Sequence, residues 1–140
     1  MEPVREDEEE KSWRQSEFKR ERKIGRDVIV AIDHGPNSKL AFDWALLHFC
    51  RDADTLYIVH AVSSTQNQIV YDMSQDLMAK LAVEAFQISK VKTVPRIVEG
   101  DPGKVICKEV NKLKPAALIM GTTRGRSWFQ RFFLFVYFSI

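Results

Sequence analysis

The chain has 140 residues, 45% of them hydrophobic and 29% charged, with a formal charge of +2. That length makes one domain with a core of its own, and so small a net charge supplies no global pull toward nucleic acid or a membrane surface. Two cysteines, Cys50 and Cys107, lie far apart in sequence without a CxxC or metal-type spacing. They read as reduced thiols, no metal site is expected, and the address implied is cytoplasmic, with a nuclear one as the alternative.

Residues 1–24 differ in character from the remainder. Glu6 to Glu10 is an acidic run, followed by Lys11, Arg14, Lys19, Arg20, Arg22 and Lys23, with Trp13 and Phe18 as the large apolar side chains. Such a stretch buries too little apolar surface to offset the entropy of ordering it, so it reads as a charged, mobile tail. A basic patch over residues 19–26, for an acidic partner or as a localisation signal, is the sharper alternative. No apolar core of a secretory signal is present in MEPVREDEEEKSW.

The regular part opens with Asp27 to Asp33, DVIVAID. An apolar run ending in a carboxylate, then Gly35-Pro36-Asn37-Ser38, then apolar residues at helical spacing predict a buried parallel strand feeding a helix. Asn37-Ser38 supplies the expected N-cap, and Leu40, Ala41, Trp44, Leu47 and His48 the expected apolar face, leaving Lys39 and Asp43 in water. Thr55 to Val62, TLYIVHAV, predicts a second strand, and the polar stretch from Ser63 to Gln68 a loop over a cleft. A second helix is expected from about Tyr71 to Lys90, with Met73, Leu77, Leu81, Ala85 and Ile88 in register.

Lys92 to Glu99 alternates as a third strand, which Pro95 assigns to an edge. Asp101 is the expected N-cap of a third helix, with Pro102 at its first position and Lys114-Pro115 at its end. Ala116 to Met120 is the fourth strand, with Gly121 opening the next loop. Strand and helix in strict alternation predict a parallel α/β sheet, whose ligands bind beyond the carboxyl ends of the strands, where the strand order reverses. Asp33 stands at that edge. His34 is at the cleft, whereas His48 and His60 read as packed or structurally satisfied.

The residues from Gly25 to Ser127 resemble the universal stress protein family, plant members in particular. The likeness rests on DVIVAID with a following serine and an AxxWAL helix, on LYIVHAV, on VEGDPGKVICKEVNKLKPAALIMGT and on the Gly-Arg-Ser segment. It implies a Rossmann-like, doubly wound, five-stranded parallel sheet that in many members binds ATP. Carried onto this chain, it implies adenine-nucleotide contacts from Asp33 at the ribose or adenine side, Ala61 in the adenine wall, and Met120 and Gly121 at the end of the fourth strand. Gly125 then falls in the family's phosphate loop, while the Arg124-Gly-Arg126-Ser127 segment reads either as two guanidinium groups near a phosphate site or as a basic solvated loop. It also implies a cytoplasmic factor in stress response or signalling, with homodimer contacts from the fifth strand.

Two departures stand out. The family's phosphate pattern is G-x2-G-x9-G-S/T, whereas three residues separate Gly121 from Gly125, and Phe135-Val136 stands where the last Gly-Ser/Thr belongs. Glycines in such a cradle let backbone N–H groups approach phosphate oxygens, so the second half of the cradle is lost. Residues 128–140 replace the last helix and fifth strand with an aromatic tail. Its apolar run from Phe132 to Ile140 is about half of the ~20 residues that a membrane-spanning helix requires. A replacement strand beside the fourth, a short helix over the sheet face, and an unstructured end of a truncated or alternatively spliced frame all remain open, and composition favours the last.

The expected organisation is therefore a tail over residues 1–24, the α/β domain over 25–127 and an aromatic tail over 128–140. No catalytic residue is assigned, because no Ser-His-Asp or Cys-His order stands out and no Walker lysine follows a glycine loop. The leading reading is an adenine-nucleotide-binding module with a degraded phosphate loop. The alternative is a nucleotide-free interaction protein that keeps the fold, and a slow ATP hydrolase comes third.

Overall fold

A computed structural model of the chain describes residues 25–123 and 132–138. Residues 1–24, and with them the tail and most of the basic patch expected at residues 19–26, lie outside the described residues. The element order is β1 (Asp27–Ala31), α1 (Pro36–Trp44) running into a π-helical turn (Ala45–Phe49), β2 (Thr55–Val62), α2 (Gln68–Ser89), β3 (Lys92–Glu99), α3 (Pro102–Leu113), β4 (Ala117–Thr123) and β5 (Phe132–Phe138).

The strands form one sheet in the order β3-β2-β1-β4-β5. β1 pairs in parallel with β2 and β4, and β2 in parallel with β3. A strand with a neighbour on each side and helices on both faces has no solvated face, and Val28, Ile29 and Val30 are accordingly all buried. The period of two then sorts the core. Val28, Val30, Leu56, Ile58, Ala117 and Ile119 face α1 and α2, where Phe42, Leu46, Met78 and Leu81 meet them. Ile29, Val59 and Leu118 face the opposite way, toward Val105 and Ile106 of α3. The chain thus reverses direction between β1 and β4, which is the switch point of a doubly wound sheet.

Several local expectations are met. Pro95 lies in β3, the edge strand. Asp101 caps α3 by accepting a hydrogen bond from the Lys104 N–H at 3.2 Å, with Pro102 at the first helical position. Lys114, at φ 45°, closes that helix in the left-handed region.

Other expectations are corrected. α1 begins at Pro36 with Gly35 as its N-cap and no side-chain cap, so Ser38 sits inside the first turn. Its buried stripe is Ser38, Ala41, Phe42, Ala45 and Leu46; Leu40, Leu47 and His48 are exposed. Small Ser38, Ala41 and Ala45 let the helix lie close on the sheet, and Phe42 and Leu46 fill the core beside them. α2 starts earlier than expected, at Gln68, because the Asn67 side chain accepts from the Val70 N–H at 3.3 Å. Leu77, Leu81 and Ala85 face inward as expected, but Ser74 and Met78 take the buried positions assigned to Met73 and Ile88, which are exposed.

The chain's end departs most from expectation. β5 is a strand, antiparallel to β4 from Ala117↔Phe138 to Thr123↔Phe132, so of the three readings it is the replacement strand that holds. The physical reason is connection length: only the eight residues 124–131 separate the strands, and a parallel crossover needs a dozen or more. An antiparallel return is the pairing left open to that edge. β4 consequently continues through Gly121 to Thr123 instead of ending at Met120. Among the described residues, no helix is long and apolar enough to cross a membrane.

At the opposite end of the sheet, Arg26 and Asp54 tie the start of β1 to the turn before β2. Asp54, 3% exposed, accepts from the Arg26 backbone N–H at 2.9 Å, from its guanidinium at 2.8 Å and from the Arg51 N–H at 3.0 Å. Burial acts against the Asp54 charge, but these hydrogen bonds outweigh it and hold the carboxyl below its ordinary value. A depressed folded-state value stabilises the fold above the unfolded value of ~3.9. That contribution disappears as the pH falls through the folded value.

Replacing Asp54 with Ala is expected to destabilise the protein by about 2–3 kcal/mol at pH 7, less than a fully buried pair would lose, because Arg26 is 35% exposed. The difference from the wild type should shrink below pH 4 in denaturant titrations. Burial first, and the Asp54 charge second, push the Cys50 thiol up to about 12, whereas Cys107 is exposed. A thiol reagent at pH 8 should therefore modify one cysteine, Cys107, in the folded protein and both after unfolding.

Candidate functional site

The site grows out of the turn between β1 and α1. The Ile32 N–H still bonds to the Val59 carbonyl at 2.8 Å, so β1's pairing carries the chain up to Asp33. There the Asp33 Oδ1 accepts from the Gly35 N–H at 2.7 Å and from the Ser38 hydroxyl at 2.9 Å. The same hydroxyl oxygen accepts from the Asp33 N–H at 3.1 Å. This side-chain-closed turn aims the helix start and occupies one carboxylate oxygen. Oδ2 has no hydrogen-bond partner among the described residues.

His60 supports the turn from below. Its Nδ1 lies 2.7 Å from the Ile32 carbonyl oxygen, which only accepts, so Nδ1 carries a proton and donates. Its Nε2 lies 3.1 Å from the Ser74 hydroxyl on α2. His60 is buried and structurally satisfied, as its sequence context implied. His34 sits edge-on to it, ring centroids 5.1 Å apart, beside the cleft. His48 does not follow expectation: it is exposed, 6.0 Å from the Trp44 ring.

A cavity of about 160 Å³ opens beside the turn. Asp33 and Ser38 line it from β1–α1, Val59 and Ala61 from β2, Ile106 from α3, and Met120 and Gly121 from β4. Asp33, Ala61, Met120 and Gly121, four residues singled out in the sequence, thus share one space. Arg124, Gly125 and Ser127 lie outside the described residues. Ser38, Val59 and Ile106 had not been singled out: Ser38 read as a cap, and Val59 as part of the second strand. Chemically, the cavity offers apolar walls and one open carboxylate oxygen, which suits a flat group with hydroxyl or amino donors at its edge. Among the described residues, no group of three or more His, Cys, Asp or Glu could hold a metal ion.

Gly121 has a packing reason for being glycine. A Cβ there would come 2.3 Å from the Asn37 carbonyl oxygen, because β4 lies directly against the first turn of α1. Gly121→Ala must push that turn away, and is expected to cost about 1–3 kcal/mol. Calorimetric melting of the variant checks the value.

The universal stress protein family model matches residues 25–135. Among solved structures, a universal stress protein family protein of Arabidopsis thaliana, crystallised with AMP bound, is 29% identical, with 69% of this chain and 75% of that one covered at a TM-score of 0.52. A Mycobacterium tuberculosis protein is 18% identical, with 71% and 76% covered at a TM-score of 0.54, and shares the fold. No curated protein sequence matches significantly. With the family model spanning the four parallel strands, the helices between them and the cavity-forming turn, the chain belongs to the universal stress protein family.

Proposed function

We propose that the cavity beside Asp33 holds the adenosine part of an adenine nucleotide, and that the protein is a nucleotide-binding module in stress response or signalling, without turnover. The observation that carries this is the convergence of Asp33, Ala61, Met120 and Gly121 on one cavity at the switch point. The Arabidopsis relative with AMP bound supports the choice of ligand. The base lies between the β2 wall of Val59 and Ala61 and the side chains of Ile106 and Met120, while ribose hydroxyls donate to the open Asp33 Oδ2. Arg124, Gly125 and Ser127 serve the phosphate side.

AMP is the better ligand and ATP the poorer one. About 160 Å³ is below the ~300–1,000 Å³ of sites that enclose a whole small ligand, so only the base and part of the sugar are covered. The position of the family's last Gly-Ser/Thr is taken by Phe135 and Val136, which pair with Met120 and Ile119 inside the sheet. A strand paired there cannot also fold back as a cradle of N–H donors for the outer phosphates. The same observation favours the second reading, an interaction protein that keeps the fold and binds no nucleotide.

Thermal melting with AMP, adenosine and ATP separates these readings. AMP at 100-fold above its dissociation constant should stabilise by about 2.7 kcal/mol, raising the melting temperature by several degrees. ATP should bind no tighter than AMP. Asp33→Asn keeps an Oδ1 acceptor for Gly35 and Ser38 but replaces Oδ2 with a donor, so it should abolish the AMP shift while leaving the unliganded melting point nearly unchanged. No shift at millimolar AMP defeats the proposal in favour of the interaction protein, and ATP binding ten times tighter than AMP defeats the argument about the cradle.

A further inference from the structure

The turn from Asp33 to Ser38 has a second side. Away from the cavity described above, toward α2, lies a cleft of about 330 Å³, roughly twice as large. Its apolar floor is made by Ile32, Leu77 and Leu81, and its rim carries Asp33, His34 and Lys80. The volume falls within the range of small-molecule sites, which are mostly apolar with a few fixed polar groups.

The charges at the rim differ in their availability. Lys39, which also lines the cleft, is held between Asp43 and Glu84, at 2.7 Å from each, so its charge is already neutralised. Glu84, one turn beyond Lys80, is thereby occupied, and Lys80 forms no ion pair among the described residues. An exposed lysine with an open ammonium above an apolar floor complements a ligand that is apolar with an anionic group at one end. The Asp33 carboxylate, also on the lining, disfavours an anion beside it, so the anionic group belongs at Lys80.

We propose that the cleft between the β1–α1 turn and α2 is a second ligand site, for a small apolar molecule carrying one anionic group, with the anion at Lys80 and the apolar body on Leu77 and Leu81. It does not depend on the nucleotide reading, because its lining excludes Ala61, Met120 and Gly121. Its two walls share Asp33 and Ser38 with the first cavity, so the two sites are separated only by the turn.

The fluorescent aryl sulfonate 8-anilinonaphthalene-1-sulfonate is a suitable probe, titrated against the full folded chain. One saturable site per chain is expected, weakened at least tenfold by Lys80→Glu, an exposed position, and by Leu77→Asp. Leu47→Ala, exposed on the π-helical turn after α1 and outside the cleft's lining, and Ala61→Leu, which fills the other cavity, should leave the titration unchanged. Absence of saturable binding, binding insensitive to Lys80→Glu, or binding lost in Leu47→Ala or Ala61→Leu would overturn the assignment.

Discussion

One oxygen of Asp33 holds the functional end of this protein together. By accepting from the Gly35 N–H and the Ser38 hydroxyl, Oδ1 fixes the angle at which α1 leaves β1. That angle brings the first helical turn against β4 so closely that position 121 must be glycine. It also leaves Oδ2 without a hydrogen-bond partner among the described residues, on a side chain that lines the cavity. A carboxylate has two acceptor oxygens and several lone-pair directions, so one oxygen can close a turn while the other stays open. Neither asparagine nor glutamate gives the same division: the amide has one acceptor, and the longer side chain changes the turn.

The sheet's edges explain why the rest of the chain takes its arrangement. β3 ends one side, and its proline removes a backbone donor from a strand that would otherwise offer an unbroken row for pairing. On the other side, β4 would be the open edge if β5 did not cover it. A strand rich in phenylalanine, valine and tyrosine suits that position, and its antiparallel direction follows from the eight-residue connection. The consequence reaches the site. A short return leaves no room for a crossover helix of the usual length, and a helix N-terminus is one of the ordinary ways in which a fold binds phosphate.

Much of this was legible in the sequence, for identifiable reasons. Four apolar runs separated by helical spacing gave the parallel core, and Pro95 and Asp101-Pro102 marked an edge and a cap through local chemistry that tertiary context did not override. Asp33, Ala61, Met120 and Gly121 were placed by resemblance to a family, and the cavity brings them together. Which face each helix buries was harder to read. On α2, Ser74 occupies a core position because its hydroxyl reaches His60, a tertiary partner that periodicity does not see. On α1 and the π-helical turn after it, Leu40 and Leu47 are exposed while Phe42 and Leu46 are buried, so hydropathy offered two stripes and spacing could not choose between them. β5 was misread because an unbroken aromatic run shows no alternation, although strand pairing needs only a compatible backbone and an open edge.

The Arg26–Asp54 pair and the cavities beside Asp33 lie at opposite ends of the strands. The Arg26–Asp54 pair secures the amino end of β1, with the guanidinium also donating to the Phe49 carbonyl and lying 4.3 Å from that residue's ring centroid. The carboxyl end carries the Asp33 turn, exposed and tied through short-range hydrogen bonds, with cavities on both sides. The central strand β1, buried at Val28, Ile29 and Val30, joins the two ends. Sequence change at the carboxyl end can therefore alter what is gripped while the sheet survives. The pairing of Phe135 and Val136 with Met120 and Ile119 lies at that end: it adds backbone pairing to the edge and leaves β1 between its two parallel neighbours.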